Sequence, residues 1–347
     1  MEKSENTFHF NKTFNLESGD SLPGFQLKYV TTGRLNVERN NVIWVCHALT
    51  GNADFTEWWP KLFKSGGLFD PSENFIICAN MLGGCYGSTG PLSINPVTNV
   101  PYFHDFPTIT NRDIVNAFDL LRQSLNIEKV KILIGGSLGG QQVLEWAISK
   151  PEVFDCIIPI ACNAQHSAWG IAFNEAQRMA IEADSTWPEN DPRAGVSGLK
   201  AARAIGMLSY RHYDSFVKTQ SEKNNQRTDD LRASTYQRYQ GDKLANRFNA
   251  FTYYRFSKAM DSHNIGRNRG SVEEALNAIT ADTLVIGINT DVLFPLVEQE
   301  YLAKNISNAS LAVIDSTYGH DGFLVEFDQL HEIIKQFLNK VENNITV

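Results

Sequence analysis

The short apolar stretch Lys131–Gly135 runs straight into Gly135-Gly136-Ser137-Leu138-Gly139 and then into a helical pattern over Gln141–Ser149 that Pro151 stops. A strand that becomes a helix within a few residues needs a sharp backbone reversal. Glycines two positions either side of Ser137 leave room for the crossing backbones, and the serine is left strained and projecting. The free N–H groups and dipole of the new helix favour negative charge developing beside that hydroxyl. The pattern therefore predicts a nucleophilic Ser137 above the carboxyl edge of a sheet. A glycine-rich turn with an idle serine is the alternative, and the flanking strand and helix argue against it.

The rest of the chain supplies the sheet. Asn41–Cys46 and Asn74–Ala79 are near-continuous apolar runs, which suit strands buried on both faces. Thr13–Glu17 and Phe25–Val30 are short alternating strands about the Ser18-Gly19-Asp20 turn. Thr110-Asn111-Arg112-Asp113 resembles a capping box with Asp in the Glu/Gln place, and Ile114, Val115, Phe118, Leu121 and Leu125 follow at helical spacing. Ile157–Cys162, Thr283–Ile288 and Leu311–Ile314 are further strands, and Phe327–Lys340 is a final helix. Alternating strand and helix predict a mostly parallel sheet flanked by helices. Between residues 165 and 280 the strands vanish. Helices over Gly198–Tyr210 and Ala245–Met260 flank a polar loop at 218–230. The expected organisation is one α/β core, residues 1–164 and 281–347, interrupted by an all-helical insertion at 165–280.

Composition narrows the functions. A net charge of -8 argues against nucleic acid or an anionic membrane as the main partner. No apolar run approaches the roughly 20 residues that span a bilayer, and MEKSENTFHFNKTF lacks the apolar centre of a leader. The cysteines, Cys46, Cys78, Cys85, Cys156 and Cys162, are odd in number and show no CxxC spacing. Buried free thiols in a reducing compartment are expected, hence a cytoplasmic enzyme.

A serine nucleophile of this kind needs an acid and a histidine, in that chain order. Asp291 lies just past Thr283–Ile288, and His320 lies just past Leu311–Ile314 in Tyr318-Gly319-His320-Asp321-Gly322. Both fall at carboxyl ends of parallel strands, where open α/β sheets place their sites. Asp282 precedes its strand, Asp315 follows Ile314 directly, and His331 belongs to a solvated helix face; each competes less well. The oxyanion donors expected are the backbone N–H groups of Leu49, in His47-Ala48-Leu49-Thr50-Gly51, and of Leu138. His47 is read as structural in that turn. Leu82–Pro91 is glycine-rich but is neither a P-loop nor a G-x-G-x-x-G motif. It is expected to shape the pocket, without Cys85 as a catalytic thiol.

With HALTG (47–51), LGGCYGSTGP (82–91), GGSLGG (135–140), AFNEAQR (172–178), YQRYQGDK (236–243), Asp291-Val292-Leu293-Phe294-Pro295 and YGHDGF (318–323), the chain resembles the homoserine O-acetyltransferase family from about residue 25 to 335. The resemblance implies an α/β-hydrolase fold with a helical lid and a ping-pong acyl transfer in methionine biosynthesis. It implies acetyl-CoA as donor, L-homoserine as acceptor, no permanently bound cofactor or metal, and a homodimer formed through lid helices. It makes Ser137, Asp291 and His320 the triad, Arg203 a substrate-binding arginine and Asp321 a second substrate contact. A free amino acid does need a guanidinium for its carboxylate and a carboxylate for its ammonium. Tyr210, seven residues beyond Arg203 on the same helical face, is expected to line the same pocket. Leu138 and Gln141 depart from the family, which often has Met there. A homoserine or serine O-succinyltransferase and a serine esterase remain alternatives on the same scaffold. A non-catalytic use of the fold is disfavoured by the intact Ser, Asp and His.

Overall fold

A computed structural model describes residues 3–345. β1 (Lys3–Phe10) is an edge strand, β2 (Phe14–Asn15) and β3 (Ser21–Leu22) form a small hairpin, and β4 (Phe25–Thr32) pairs antiparallel with β1. β5 (Val42–Cys46), β6 (Phe75–Ala79), β7 (Val130–Gly136), β8 (Phe154–Ile160), β9 (Asp282–Ile288) and β10 (Ala309–Ile314) are mutually parallel. Among the described residues the main sheet runs β1-β4-β6-β5-β7-β8-β9-β10, with β4 antiparallel to β6.

Period-two geometry explains the apolar runs. In β5, Val42, Trp44 and Cys46 enter one apolar layer, while Ile43 and Val45 enter the other. The first layer is completed by α2 (Asn111–Ser124) and α3 (Leu138–Ser149), which follow the one-turn helix α1 (Phe55–Trp58). There Trp44 and Trp146 meet edge to face at 4.9 Å between centroids, both fully buried. The capping box that opens α2 is complete: Thr110 accepts from the Asp113 N–H, and Asp113 accepts from the Thr110 N–H at 2.9 Å.

Between β8 and β9 the chain is helical. It forms α4 (Ala168–Glu182), α5 (Val196–Tyr210), α6 (Tyr213–Gln220), α7 (Arg232–Ala245), α8 (Ala250–Asp261) and α9 (Val272–Asn277). On its return this segment is pinned by charge: Arg267 pairs with Glu17 at 2.8 Å and Arg269 with Glu145 at 2.5 Å. Arg112 joins both carboxylates, at 2.7 Å and 2.8 Å. After β9 come α10 (Leu296–Asn305) and, after β10, α11 (Phe327–Ile345), whose Leu330, Ile334 and Phe337 cover the second face. Among the described residues no helix is long and apolar enough to cross a membrane.

Four segments differ from the sequence expectation. β1 was not expected, because an edge strand needs only one partner and Lys3, Ser4 and Glu5 are exposed. The strand expected over Thr13–Glu17 shrinks to Phe14–Asn15. The helix expected over Ala245–Met260 is broken, since the Asn249 side chain accepts from the Thr252 N–H and starts α8 afresh. The loop expected at 218–230 begins only after Gln220.

Candidate active site

Ser137 caps α3 with φ 58° and ψ -125°, a conformation that L residues avoid. Its neighbours impose that conformation. The Ser137 N–H donates to the Ile160 carbonyl at 2.9 Å, and its own carbonyl accepts from the Gln141 N–H at 3.1 Å. A Cβ on Gly139 would lie 2.2 Å from the Cys46 carbonyl oxygen, and one on Gly135 would lie 2.6 Å from that of Gly139. Only glycine lets the end of β5, the turn and α3 meet backbone to backbone. The hydroxyl makes no capping bond to its own helix and faces a cavity that it shares with His320.

Asp291 and His320 meet beside it. Asp291 Oδ1 accepts from the Leu293 and Phe294 N–H groups at 2.8 and 2.9 Å, which fixes the carboxylate. Its Oδ2 accepts from His320 Nδ1 at 2.6 Å. The proton therefore sits on Nδ1 and leaves Nε2 as the basic atom. Phe294 stacks on the imidazole at 5.2 Å, and Phe323 and Tyr210 lie at 5.4 and 6.0 Å. Burial opposes charge on His320, but the Asp291 charge and hydrogen bond, with Asp321 adding, raise its pKa above 6.5.

The turn Ala48–Gly51, closed by Gly51 N–H to Ala48 carbonyl at 2.9 Å, sits opposite. Leu49 is buried on the cavity wall. Leu138 opens α3 directly after Ser137. Among the described residues neither the Leu49 nor the Leu138 N–H has an acceptor, and buried N–H groups without partners are rare away from binding sites. His47 is buried, with burial pushing its pKa down to about 4. Its Nε2 accepts from the Met81 N–H at 3.3 Å, so Nδ1 donates to the Ala48 carbonyl at 2.9 Å. That ring staples the turn.

The cavity opens to solvent and is lined by polar and apolar side chains together, as small-molecule sites are. Arg203 and Tyr210 of α5 both line it, with the guanidinium 5.3 Å from the ring centroid. Among the described residues Arg203 has no carboxylate within 4.0 Å. Asp321 lines the cavity too, yet it is ion-paired with Arg211 Nε at 3.0 Å. Burial raises the Asp321 pKa against the pull of Arg211, Arg203 and His320. Arg211 has no sequence signal beyond its place after α5.

Asn174 and Gln177 also line the cavity and were not singled out from the sequence. Two amides three residues apart in AFNEAQR, on one helix face, were the available signal. Gln141, a departure from the family pattern, is buried and donates to Asn163 Oδ1 at 2.9 Å. Asn163 in turn donates to Glu298 at 2.9 Å, whose pKa burial lifts to about 7, with the Asp291 charge adding. The competitors lie elsewhere: Asp315 accepts from Asn289 at 2.7 Å, Asp282 starts β9, and His331 lies on α11. None of them lines the cavity. Burial pushes the Cys85 thiol up to about 11, too high for a thiolate at neutral pH. All five cysteines are free and four are buried. Among the described residues no cluster of three His, Cys, Asp or Glu side chains could hold a metal ion.

The alpha/beta hydrolase fold family matches residues 41–327. Homoserine O-acetyltransferase of Cyclobacterium marinum is 53% identical over 344 residues, which cover 99% of this chain and 97% of that protein. Among solved structures, homoserine O-acetyltransferase from Bacillus anthracis matches with a TM-score of 0.91 at 23% identity, covering 97% of this chain and 98% of that one. Esterase E22 matches with a TM-score of 0.88 at 24% identity, covering 97% and 100%. At such identities the two structures establish the fold, and the sequence likeness establishes the family. On that ground, and with a serine turn, an Asp–His pair and an arginine that has no carboxylate within 4.0 Å among the described residues gathered at one cavity, the chain belongs to the homoserine O-acetyltransferase family of α/β-hydrolases.

Proposed function

We propose that this enzyme transfers an acetyl group from acetyl-CoA to the side-chain hydroxyl of L-homoserine through an acyl-Ser137 intermediate. The observation that carries the reading is Arg203, a guanidinium that among the described residues has no carboxylate within 4.0 Å, on the wall of the cavity that holds Ser137 and His320. A hydrolase acting on neutral esters has no use for it; an amino-acid acceptor does.

In the first half-reaction His320 Nε2 takes the Ser137 proton as Oγ attacks the thioester carbonyl. The Leu49 and Leu138 N–H groups hold the oxyanion. The C–S bond then breaks, His320 returns the proton to the departing thiolate, and an acyl-serine remains. In the second half-reaction Arg203 holds the homoserine carboxylate and Asp321 its ammonium. His320 takes the proton of the acceptor hydroxyl, whose oxygen attacks the acyl carbonyl. Ser137 leaves as the alcohol, reprotonated by His320. Asp291 holds the imidazole and its positive charge in both steps. Tyr210 frames Arg203.

In this reading residues 165–280 act as a lid over the core. The enzyme works in the cytoplasm as a homodimer through lid helices, whose Met179, Leu208, Tyr213 and Tyr239 expose large apolar surfaces. It needs no permanently bound cofactor.

The test is thiol release from acetyl-CoA and succinyl-CoA, each mixed with homoserine, serine or water. A burst of free coenzyme A without acceptor, and steady turnover only with acetyl-CoA and homoserine, is the expected result. Turnover on water as fast as on homoserine would make the enzyme an esterase. Preference for succinyl-CoA or serine would replace the donor or the acceptor.

A further inference from the structure

The glycine-rich loop Leu82–Pro91 takes no part in the chemistry above, and neither does the break between α7 and α8. They meet at one point. Arg247, in that break, donates from Nη1 to the Thr50 carbonyl and to Tyr86 Oη, both at 2.6 Å. Nη1 carries two hydrogens, and both are used. Among the described residues no other group donates to the Thr50 carbonyl. Thr50 follows Leu49 in the turn, and both line the cavity.

We propose that Arg247 is a positioning residue, a latch by which the helical segment holds the oxyanion turn Ala48–Gly51 in its working orientation, with Tyr86 as the second anchor of the guanidinium.

The turn is held at its two ends, and Arg247 reaches its middle. Its start is fixed by His47, which donates to the Ala48 carbonyl and accepts from the Met81 N–H. Its exit is fixed by Asn80, which accepts from the Ala53 N–H at 2.8 Å and donates to the Tyr86 carbonyl at 2.8 Å. Between them, Leu49 and Thr50 lack any backbone bond of their own among the described residues, and Arg247 is the outside contact on Thr50. Arg247 holds the Thr50–Gly51 peptide, and the Gly51 N–H of that peptide donates at 2.9 Å to the Ala48 carbonyl, which belongs to the peptide that carries the Leu49 N–H; a side chain from another part of the chain thus steers that N–H through the bond that closes the turn. Tyr86 sets that side chain. Its hydroxyl takes the second Nη1 hydrogen, and its ring meets Phe248, next to Arg247, at 5.9 Å. Asn80 in turn holds the Tyr86 backbone. The glycine-rich loop so gains a role: it delivers a phenol to the arginine that holds the Thr50 carbonyl of the oxyanion turn. Arg247 forms no carboxylate pair within 4.0 Å among the described residues, so its two neutral acceptors alone define its direction.

An oxyanion donor matters by tenths of an ångström, because the donor must meet the position the charge will occupy. Loss of a whole donor costs about 10²–10³ in rate. A donor that is present but poorly aimed should cost less, about 10–100-fold, and should cost it in kcat.

The inference rests on Leu49 N–H being an oxyanion donor, not on the identity of the acceptor. The test uses the whole enzyme with two acyl donors, acetyl-CoA and p-nitrophenyl acetate, of which only the first carries phosphates. Arg247→Ala should lower the acylation rate about 10–100-fold for both donors, with KM within about twofold. Arg247→Lys should recover part of the loss, and Tyr86→Phe should cost about 3–10-fold in the same parameter. Affinity for a tetrahedral boronic acid adduct of Ser137 should fall in parallel, a readout that a loosened fold with an intact oxyanion turn would not share. A rise in KM confined to acetyl-CoA, with p-nitrophenyl acetate untouched, would overturn the proposal and make Arg247 a contact for the coenzyme phosphates. Unchanged acylation rates for both donors would also overturn it. Should wild-type enzyme acylate from p-nitrophenyl acetate yet ignore homoserine, the acceptor assignment fails while the latch remains readable.

Discussion

β5 and α7 are opposite ways of building an element. All five residues of β5 are buried, on two apolar faces. Of the fourteen residues of α7 only Gly241 and Leu244 are buried. The groups proposed for bond making follow the first pattern: Ser137, Asp291 and His320 stand at the ends of β7, β9 and β10, over packed layers. Of the groups proposed to read the acceptor, Arg203 and Tyr210 stand on α5 in the helical segment, where the guanidinium lies 5.3 Å from the ring, while Asp321 sits in the core beside His320. Substitution of the triad or the packed layers should change whether the enzyme works, and substitution of Arg203 should change what it works on.

The largest effect expected is that of Ser137→Ala. It should remove the burst of coenzyme A and cut turnover by about 10⁴–10⁶-fold, with folding intact by circular dichroism. A persisting burst would place the nucleophile elsewhere. Next, Trp146→Ala should destabilise the protein by about 3–5 kcal/mol, read as a shift in denaturant midpoint with an unchanged slope. Ser234→Ala on exposed α7 should fall within about 0.5 kcal/mol of wild type. Equal losses at the two sites would erase the contrast. Arg203→Ala should lower kcat/KM for homoserine by about 10–100-fold, the loss of a charged hydrogen bond. Its effect on the rate of enzyme acylation should be far smaller; equal losses in both half-reactions would deny it a role at the acceptor. The smallest effect is on pH. His320 must be neutral to accept the Ser137 proton, and its pKa is raised. Activity should therefore fall as pH drops through a midpoint above 6.5. Asp321→Asn removes one charge that favours the imidazolium and should move that midpoint down, as read on p-nitrophenyl acetate hydrolysis.

What the sequence disclosed of this site was local. The Ser137 turn is written in glycines that no other residue can replace, and Asp291 and His320 are each placed by a strand of six or seven residues just before them. The Asp321–Arg211 pair depends on where the end of α5 settles against the loop after β10, a distance in sequence of 110 residues by subtraction of 211 from 321. The Gln141–Asn163–Glu298 chain depends likewise on three separate elements meeting. No periodicity encodes such meetings. β1 escaped notice for a related reason: a strand bonded on one side and wet on the other needs little apolar pattern, and Phe8 and Phe10 are all it has. Leu244, Phe248 and Phe251 are all buried and keep a helical four-and-three spacing across Asn249, so the apolar pattern hides the break made by the Asn249 cap.

The dihedral angles of Ser137 have an outcome that concerns durability and not rate. A non-glycine residue at φ 58° and ψ -125° carries a standing load of about 1–3 kcal/mol, borne by the sheet and helix around it. Ser137→Gly discharges that load and Ser137→Ala does not, although both lack the hydroxyl. The gap between their melting temperatures measures the load less the extra unfolded-chain entropy of glycine, about 0.4–1 kcal/mol. The expected order, glycine variant above alanine variant, means that the enzyme's most heat-resistant form is one that cannot turn over, so selection for endurance alone would disarm it.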